Sequence, residues 1–192
     1  MRYLEETKKI WTRELIANKA LSEALGIGLF TLLTALGAFV SIPVPFTPVP
    51  LTGQTFFVVL SGLFLKRYNG SISQFLYIGL GLIGLPLFAG AANGFSCILG
   101  PTGGYLIAFI FAPYLVNFCH SHIKSNAYIR AIAALSVGIA FIHLMGVVVL
   151  SGFMNIGIYK AFVLGSLPFL PGAFIKVTIG AKVYTSYKGR FN

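Results

Sequence analysis

From residue 24 to residue 65 the chain carries no Asp, Glu, Lys or Arg. An apolar run of that length holds two membrane spans and their connection, at about 20 residues per helix. Further apolar stretches near 72–88, 103–119, 130–150 and 171–187 follow, and the first run divides into 24–42 and 51–65. With 57% hydrophobic and 9% charged residues there is too little polar surface for an aqueous domain. The expectation is an all-α integral membrane protein of six transmembrane helices with structured loops on one side. Residues 1–23 form a polar interfacial segment and residues 24–192 one membrane domain.

The net charge of +10 raises the question of nucleic acid, and its distribution answers it. With the N-terminus inside, the inner segments hold Arg2, Lys8, Lys9, Arg13, Lys19, Lys66, Arg67, Lys124, Arg130, Lys182, Lys188 and Arg190, against Lys160 alone outside. That asymmetry follows the positive-inside rule: a multi-pass cell (inner) membrane protein with both termini cytoplasmic, anchored in the lipid bilayer. The basic residues are topological anchors with no clustered nucleic-acid face. Residues 1–23 contain Glu5, Glu6, Glu14 and Glu23, too acidic for a cleavable signal. Leu4, Trp11 and Leu15 fall at helical spacing, interrupted at Asn18, and suit a helix lying at the interface.

Enzymatic readings find no support. There is no Asp in the chain, no Walker A pattern around the glycine-rich segment 100–104, and no acid beyond Glu23 to complete a Ser/His/acid set. His120 and His122 read as solvated residues at a helix end, without the ligand number that zinc requires. No cofactor or metal is expected. Cys97 and Cys119 fall on opposite sides of the membrane in this topology and do not pair.

The inner connections are short and basic; Ser71 with Gln74 reads as a capping box opening the third helix. The outer ones are long, apolar and rich in Pro and Gly. Four prolines between residues 43 and 50 forbid a helix and favour a stiff extended backbone. Two more such segments lie at 84–105 and 167–172. Apolar non-helical backbone is tolerated at membrane depth only inside protein or around a cavity, so these loops suggest a lidded pocket opening outward. The glycines of the second loop either permit close helix packing or bare backbone N–H groups, with Asn93, to a ligand.

Lys176 lies inside the last apolar stretch of a chain without an acidic residue after Glu23. A charged amine there costs about 2.5–3.5 kcal/mol on insertion scales. Pro168, Pro171 and Gly172 start the sixth helix at about Pro171, putting Lys176 in its first two turns. Lysine and helix N-terminus together suit an anion, a carboxylate above all, unless Lys176 snorkels to the interface. His143, in the middle of the fifth span, either bonds a neighbouring helix or contacts a polar ligand group. Ala20, Ala24 and Gly28 recur every four residues, a stripe that permits close approach within the bundle or with another subunit.

The segments 43–54, 84–93, 100–105 and 167–176, with their Gly-Pro-Thr-Gly-Gly-Tyr and Pro-Phe-Leu-Pro-Gly motifs, resemble the BioY family of biotin transporters over residues 24–188. The resemblance implies a six-helix substrate-binding (S) component of an energy-coupling factor transporter, taking up biotin from outside. Energy comes from a coupling transmembrane subunit and ATPases, or the chain acts alone. It also implies that Lys176 meets the valerate carboxylate, that Asn93, Tyr105, Gln54 and Thr52 contact the ligand, and that Ala20, Ala24 and Gly28 face the coupling subunit. One position departs: the family typically reads Pro-Gly-Asp-x-x-Lys, and here Ala173 replaces the aspartate. Alternatives left open are another small carboxylate such as a biotin precursor, and a structural subunit of a membrane complex. The state as monomer, homo-oligomer or complex is also open.

Overall fold

The computed structural model describes residues 19–189, and within them the chain is mostly helical. In order these are α1 (Lys19–Phe39), a two-stranded hairpin of β1 (Ser41–Ile42) and β2 (Leu51–Thr52), α2 (Gln54–Phe64), α3 (Asn69–Leu82), a 3-10 turn (Ala89–Ala91) and α4 (Phe95–Leu99). There follow α5 (Gly103–His122), α6 (Ala127–Met154), α7 (Ile158–Gly165), a second 3-10 turn (Leu167–Phe169) and α8 (Leu170–Gly189). Four helical stretches are long and apolar enough to cross a membrane: Lys19–Phe39, Gly103–His122, Ala127–Met154 and Ile158–Gly189. The last contains the break at Leu167–Phe169, where Pro168 and Pro171 interrupt regular pairing. α2 and α3 are shorter, 11 and 14 residues. At 1.5 Å per residue they rise only about 16 and 21 Å, short of the roughly 30 Å hydrocarbon core.

The bundle is inside-out relative to an aqueous protein only at its surface. On α1, Leu25, Leu29, Leu32 and Leu36 point outward at helical spacing, while Phe30, Thr31, Thr34, Ala35 and Ala38 turn inward. The lipid-facing stripe is thus as apolar as the core, as expected where the solvent is hydrocarbon. Helix contact depends on small residues. Gly62 lies so close to Pro113 of α5 that a Cβ would fall 2.5 Å from the Pro113 carbonyl oxygen.

Several local expectations change. The segment 43–50 is not a continuous extended stretch: it turns at Pro45–Phe46, with Thr47 N–H donating to Val44 O at 3.2 Å, and closes a hairpin with Ser41 opposite Thr52 and Ile42 opposite Leu51. Ser71 and Gln74 make no capping box: α3 starts at Asn69 and has no side-chain cap. Gln74 is instead fully buried, its Nε2 donating to Thr34 Oγ1 of α1 at 3.2 Å and to Ser73 Oγ at 3.1 Å. An amide facing lipid would go unpaired, so it turns inward, where Thr34 of α1 and Ser73 of its own helix offer hydroxyls. His120 is not solvated: its ring meets Tyr184 edge-on, centroids 5.1 Å apart, and Nε2 is buried. His122 is exposed, with Nδ1 2.8 Å from Phe118 O. Cys97 and Cys119 are both free. The interfacial expectation for residues 1–23 falls mostly outside the described residues, Leu4, Trp11, Leu15 and Asn18 included. Residues 19–23 belong to α1.

Candidate ligand-binding site

The three Pro/Gly-rich loops converge. Residues 48–55, 88–106 and 169–176 enclose a cavity of about 400 Å³, walled on the remaining side by Phe109, Ile139 and His143. That volume lies at the lower end of small-molecule sites.

Lys176 enters it from the second turn of α8. Its Nζ donates to the Thr52 carbonyl at 2.7 Å and to Thr55 Oγ1 at 2.6 Å. An ammonium has three N–H donors. Two are therefore committed to neutral acceptors on the first loop and α2, no side-chain carboxylate follows Glu23, and the third is free for a ligand.

Gln54 opens α2 and is only 4% exposed while still lining the cavity. The Tyr77 hydroxyl donates its single proton to the Leu87 carbonyl at 2.9 Å. It must therefore accept from Gln54 Nε2, with which it is in close contact. That assignment leaves Gln54 Oε1 as a free acceptor. Tyr77 is fully buried and its ring meets Phe88 edge-on at 5.7 Å. Phe88 in turn lies over Gly81, where a Cβ would stand 2.3 Å from the ring. The second loop is thus pinned to α3 by the Tyr77 hydroxyl on Leu87 O, by Gly94 N–H donating to Gly81 O at 2.9 Å, and by one aromatic seat. Gly90 and Gly94, at φ 70° and 79°, supply the left-handed turns it needs.

Tyr105 lines the opposite wall. Its ring rests on Gly146 of α6, where a Cβ would be 2.2 Å away, and its hydroxyl donates to Gly165 O of α7 at 2.5 Å. His143 sits between Tyr105 and Phe169, each ring centroid 6.3 Å from its own. Among the described residues its buried Nδ1 has no hydrogen-bond partner, while the Gly165 backbone and Lys176 both lie near enough to act on the ring. Beyond this wall an apolar groove of about 950 Å³ runs along α6, α7 and α8, sharing Ile139, His143 and Ala173 with the cavity.

Of the residues singled out in the sequence, Lys176, Tyr105, Gln54, Thr52 and His143 therefore share one cavity. Thr52 contributes through its backbone carbonyl. Asn93 is not brought to it: the residue is exposed and outside the lining, its carbonyl accepting from Ser96 Oγ and Cys97 Sγ. Ala20, Ala24 and Gly28 are exposed on α1, and a Cβ on Gly28 meets nothing within 4 Å. Their stripe does not serve packing inside the described bundle. Gly26 does, since a Cβ there would stand 2.8 Å from Leu65. Sequence reasoning missed Thr55 and Tyr77. A phenol in the middle of an apolar stretch needs a partner for its hydroxyl, and that was the available signal for Tyr77.

The family model of the BioY family matches residues 8–192. The chain belongs to the BioY family. Among relatives, the probable biotin transporter BioY of Pyrococcus horikoshii is 37% identical over 163 residues, covering 85% of this chain and 94% of that protein. The biotin transporter BioY of Thermotoga maritima is 37% identical over 156 residues, covering 81% and 89%. Among solved structures, the S-component for biotin from an ECF-type ABC transporter superposes with a TM-score of 0.81 at 28% identity, covering 90% of this chain and 93% of that one. The BioY match thus covers α1 through α8, the elements that carry the cavity.

Proposed function

We propose that this chain binds biotin in the cavity beneath the three loops and serves its uptake as an S component. The observation that carries the reading is the Lys176 ammonium, held by Thr52 and Thr55 with one N–H left for an anion. Biotin offers a carboxylate for that donor, ureido N–H groups for Gln54 Oε1, a ureido oxygen, and an apolar bicycle for Phe109, Ile139 and Phe169. His143 and the hydroxyl of Tyr105 supply the polar groups of the far wall. Asn93 joins them only through a rearrangement of the second loop.

The same reading takes α2 and α3 as spans, completing six with the four long stretches. Both termini then lie on the cytoplasmic side of the inner membrane and the cavity faces outward, as the distribution of Lys and Arg supports. Transport energy comes from a coupling subunit and ATPases that meet α1 at Ala20, Ala24 and Gly28.

Calorimetric titration of the purified chain with biotin and with biotin methyl ester tests the assignment. The wild type should bind the acid at least tenfold more tightly than the ester, and Lys176→Met should erase that preference while still binding the ester. A charge-assisted hydrogen bond of about 1.5–3 kcal/mol corresponds to such a ratio. Equal affinities of wild type and Lys176→Met for the acid remove the lysine from the site. A biotin precursor bound more tightly than biotin transfers the assignment to that carboxylate.

A further inference from the structure

At the end of the bundle away from the cavity, three cationic or cation-capable side chains come together from three helices. His120 stands in the last turn of α5, Arg130 in the first turns of α6 and Lys188 in the last turn of α8. Tyr184 joins them: its ring meets His120 edge-on at 5.1 Å and lies 5.5 Å from Lys188 Nζ. Arg130 and Lys188 both act electrostatically on the His120 ring.

Basic residues at one end of a bundle follow from topology alone, but two features here do not. Among the described residues, His120 Nε2 and Arg130 Nε are both buried and both lack a hydrogen-bond partner. The guanidinium Nε–H is always a donor, so a buried one left unpaired marks a missing acceptor. Arg130 also occupies the positive end of the α6 dipole, which disfavours a cation unless an anion neutralises it. No side-chain carboxylate lies within residues 24–192 to do so.

We propose that His120, Arg130 and Lys188 form an anion site for a phosphate group at this end of the bundle, with Arg130 Nε and His120 Nε2 donating to its oxygens. Basic pockets between membrane helices hold phosphate headgroups by the same chemistry. The phosphate has two sources, an anionic lipid headgroup or free phosphate. The site is separate from the cavity, since α5 and α8 each run from a cavity residue (Tyr105, Lys176) to a member of this cluster at their other end.

The test uses the full-length chain in neutral detergent, titrated with phosphatidylglycerol, phosphatidylcholine or inorganic phosphate. Native mass spectrometry reads retained lipid and thermal melting reads stabilisation. The wild type should retain phosphatidylglycerol at least fivefold over phosphatidylcholine, with Arg130→Gln and Lys188→Gln each reducing the ratio and the double variant bringing it near one. Lys188 is exposed, so its variant folds and gives a reading even where Arg130→Gln does not. Stabilisation by millimolar inorganic phosphate, lost in the same variants, assigns the site to free phosphate; its absence alongside the lipid preference assigns it to the headgroup. A wild type that responds to neither, or a Lys188→Gln variant and double variant that keep the full response, overturns the proposal.

Discussion

At the scale of single residues, the exchange at Ala173 bears most directly on Lys176. Ala173 lies one helical turn before Lys176 on α8 and lines the cavity, so a carboxylate there would share its face with the ammonium. Lys176 already donates to Thr52 O and Thr55 Oγ1, and a nearby aspartate would take up the remaining N–H. Ala173→Asp should therefore weaken biotin binding, by about tenfold for the loss of one charge-assisted bond, while leaving the methyl ester nearly unaffected. Titration of both ligands checks it; tighter binding of the acid would mean that an aspartate aligns the lysine instead of competing for it. Lys176 was legible in the sequence because a lone cation in an acid-free apolar segment needs an explanation. Thr55 was not, since a threonine near the start of a helix has many uses and only the fold brings its hydroxyl 2.6 Å from Nζ.

At the scale of elements, the cavity depends on how helices hold loops. Tyr77 of α3 is the link: its hydroxyl receives Gln54 Nε2 from α2 and donates to Leu87 of the second loop. Tyr77→Phe keeps the ring on Phe88 but leaves the buried Gln54 Nε2 without this acceptor, at about 1–3 kcal/mol, and the part-buried Leu87 carbonyl without its donor. Biotin affinity should fall at least fivefold, and amide exchange in residues 85–94 should accelerate; unchanged exchange there would show that the Phe88 ring and the Gly94 N–H bond to Gly81 O hold the loop without the Tyr77 hydroxyl. The wall formed by Tyr105 is tested differently. Gly146→Ala places a methyl 2.2 Å from the ring, and overpacking of about 1–3 kcal/mol should lower the melting temperature by several degrees. A melting temperature equal to wild type would mean that the ring moves aside at no cost. These contacts mark the limit of sequence reading. Proline density excluded a helix over residues 43–50 but showed neither the turn at Pro45–Phe46 nor the pairing of Ser41 with Thr52, which depends on where α1 ends and α2 begins. Ser71 and Gln74 carried a helix-start signal, yet burial of Gln74 against Thr34 outweighed it. A capping pattern read as local chemistry fails where the helix end is packed against another helix.

At the scale of the whole molecule, the described bundle offers one long helix with two unlike uses. The inward face of α1 closes the core through Thr31, Thr34 and Ala35, with Thr31 Oγ1 donating to Ser73 O of α3 at 2.9 Å. The outward face carries leucines and, among them, Ala20, Ala24 and Gly28. In lipid, small residues on an exposed face leave a shallow groove that hydrocarbon fills less well than a second helix. The sequence showed the spacing but could not show which way the stripe faced; in the fold it is exposed, away from the packing of the described residues. Ala24→Trp should leave both folding and biotin affinity at wild-type values, because Ala24 is exposed on the described bundle. In cells that also supply a coupling subunit and ATPases, the same variant should lose most biotin uptake and fail to copurify with the coupling subunit. Retained binding with lost uptake would separate capture of the ligand from its delivery. Uptake equal to wild type would place the energy-coupling contact elsewhere, or leave the chain moving biotin by itself.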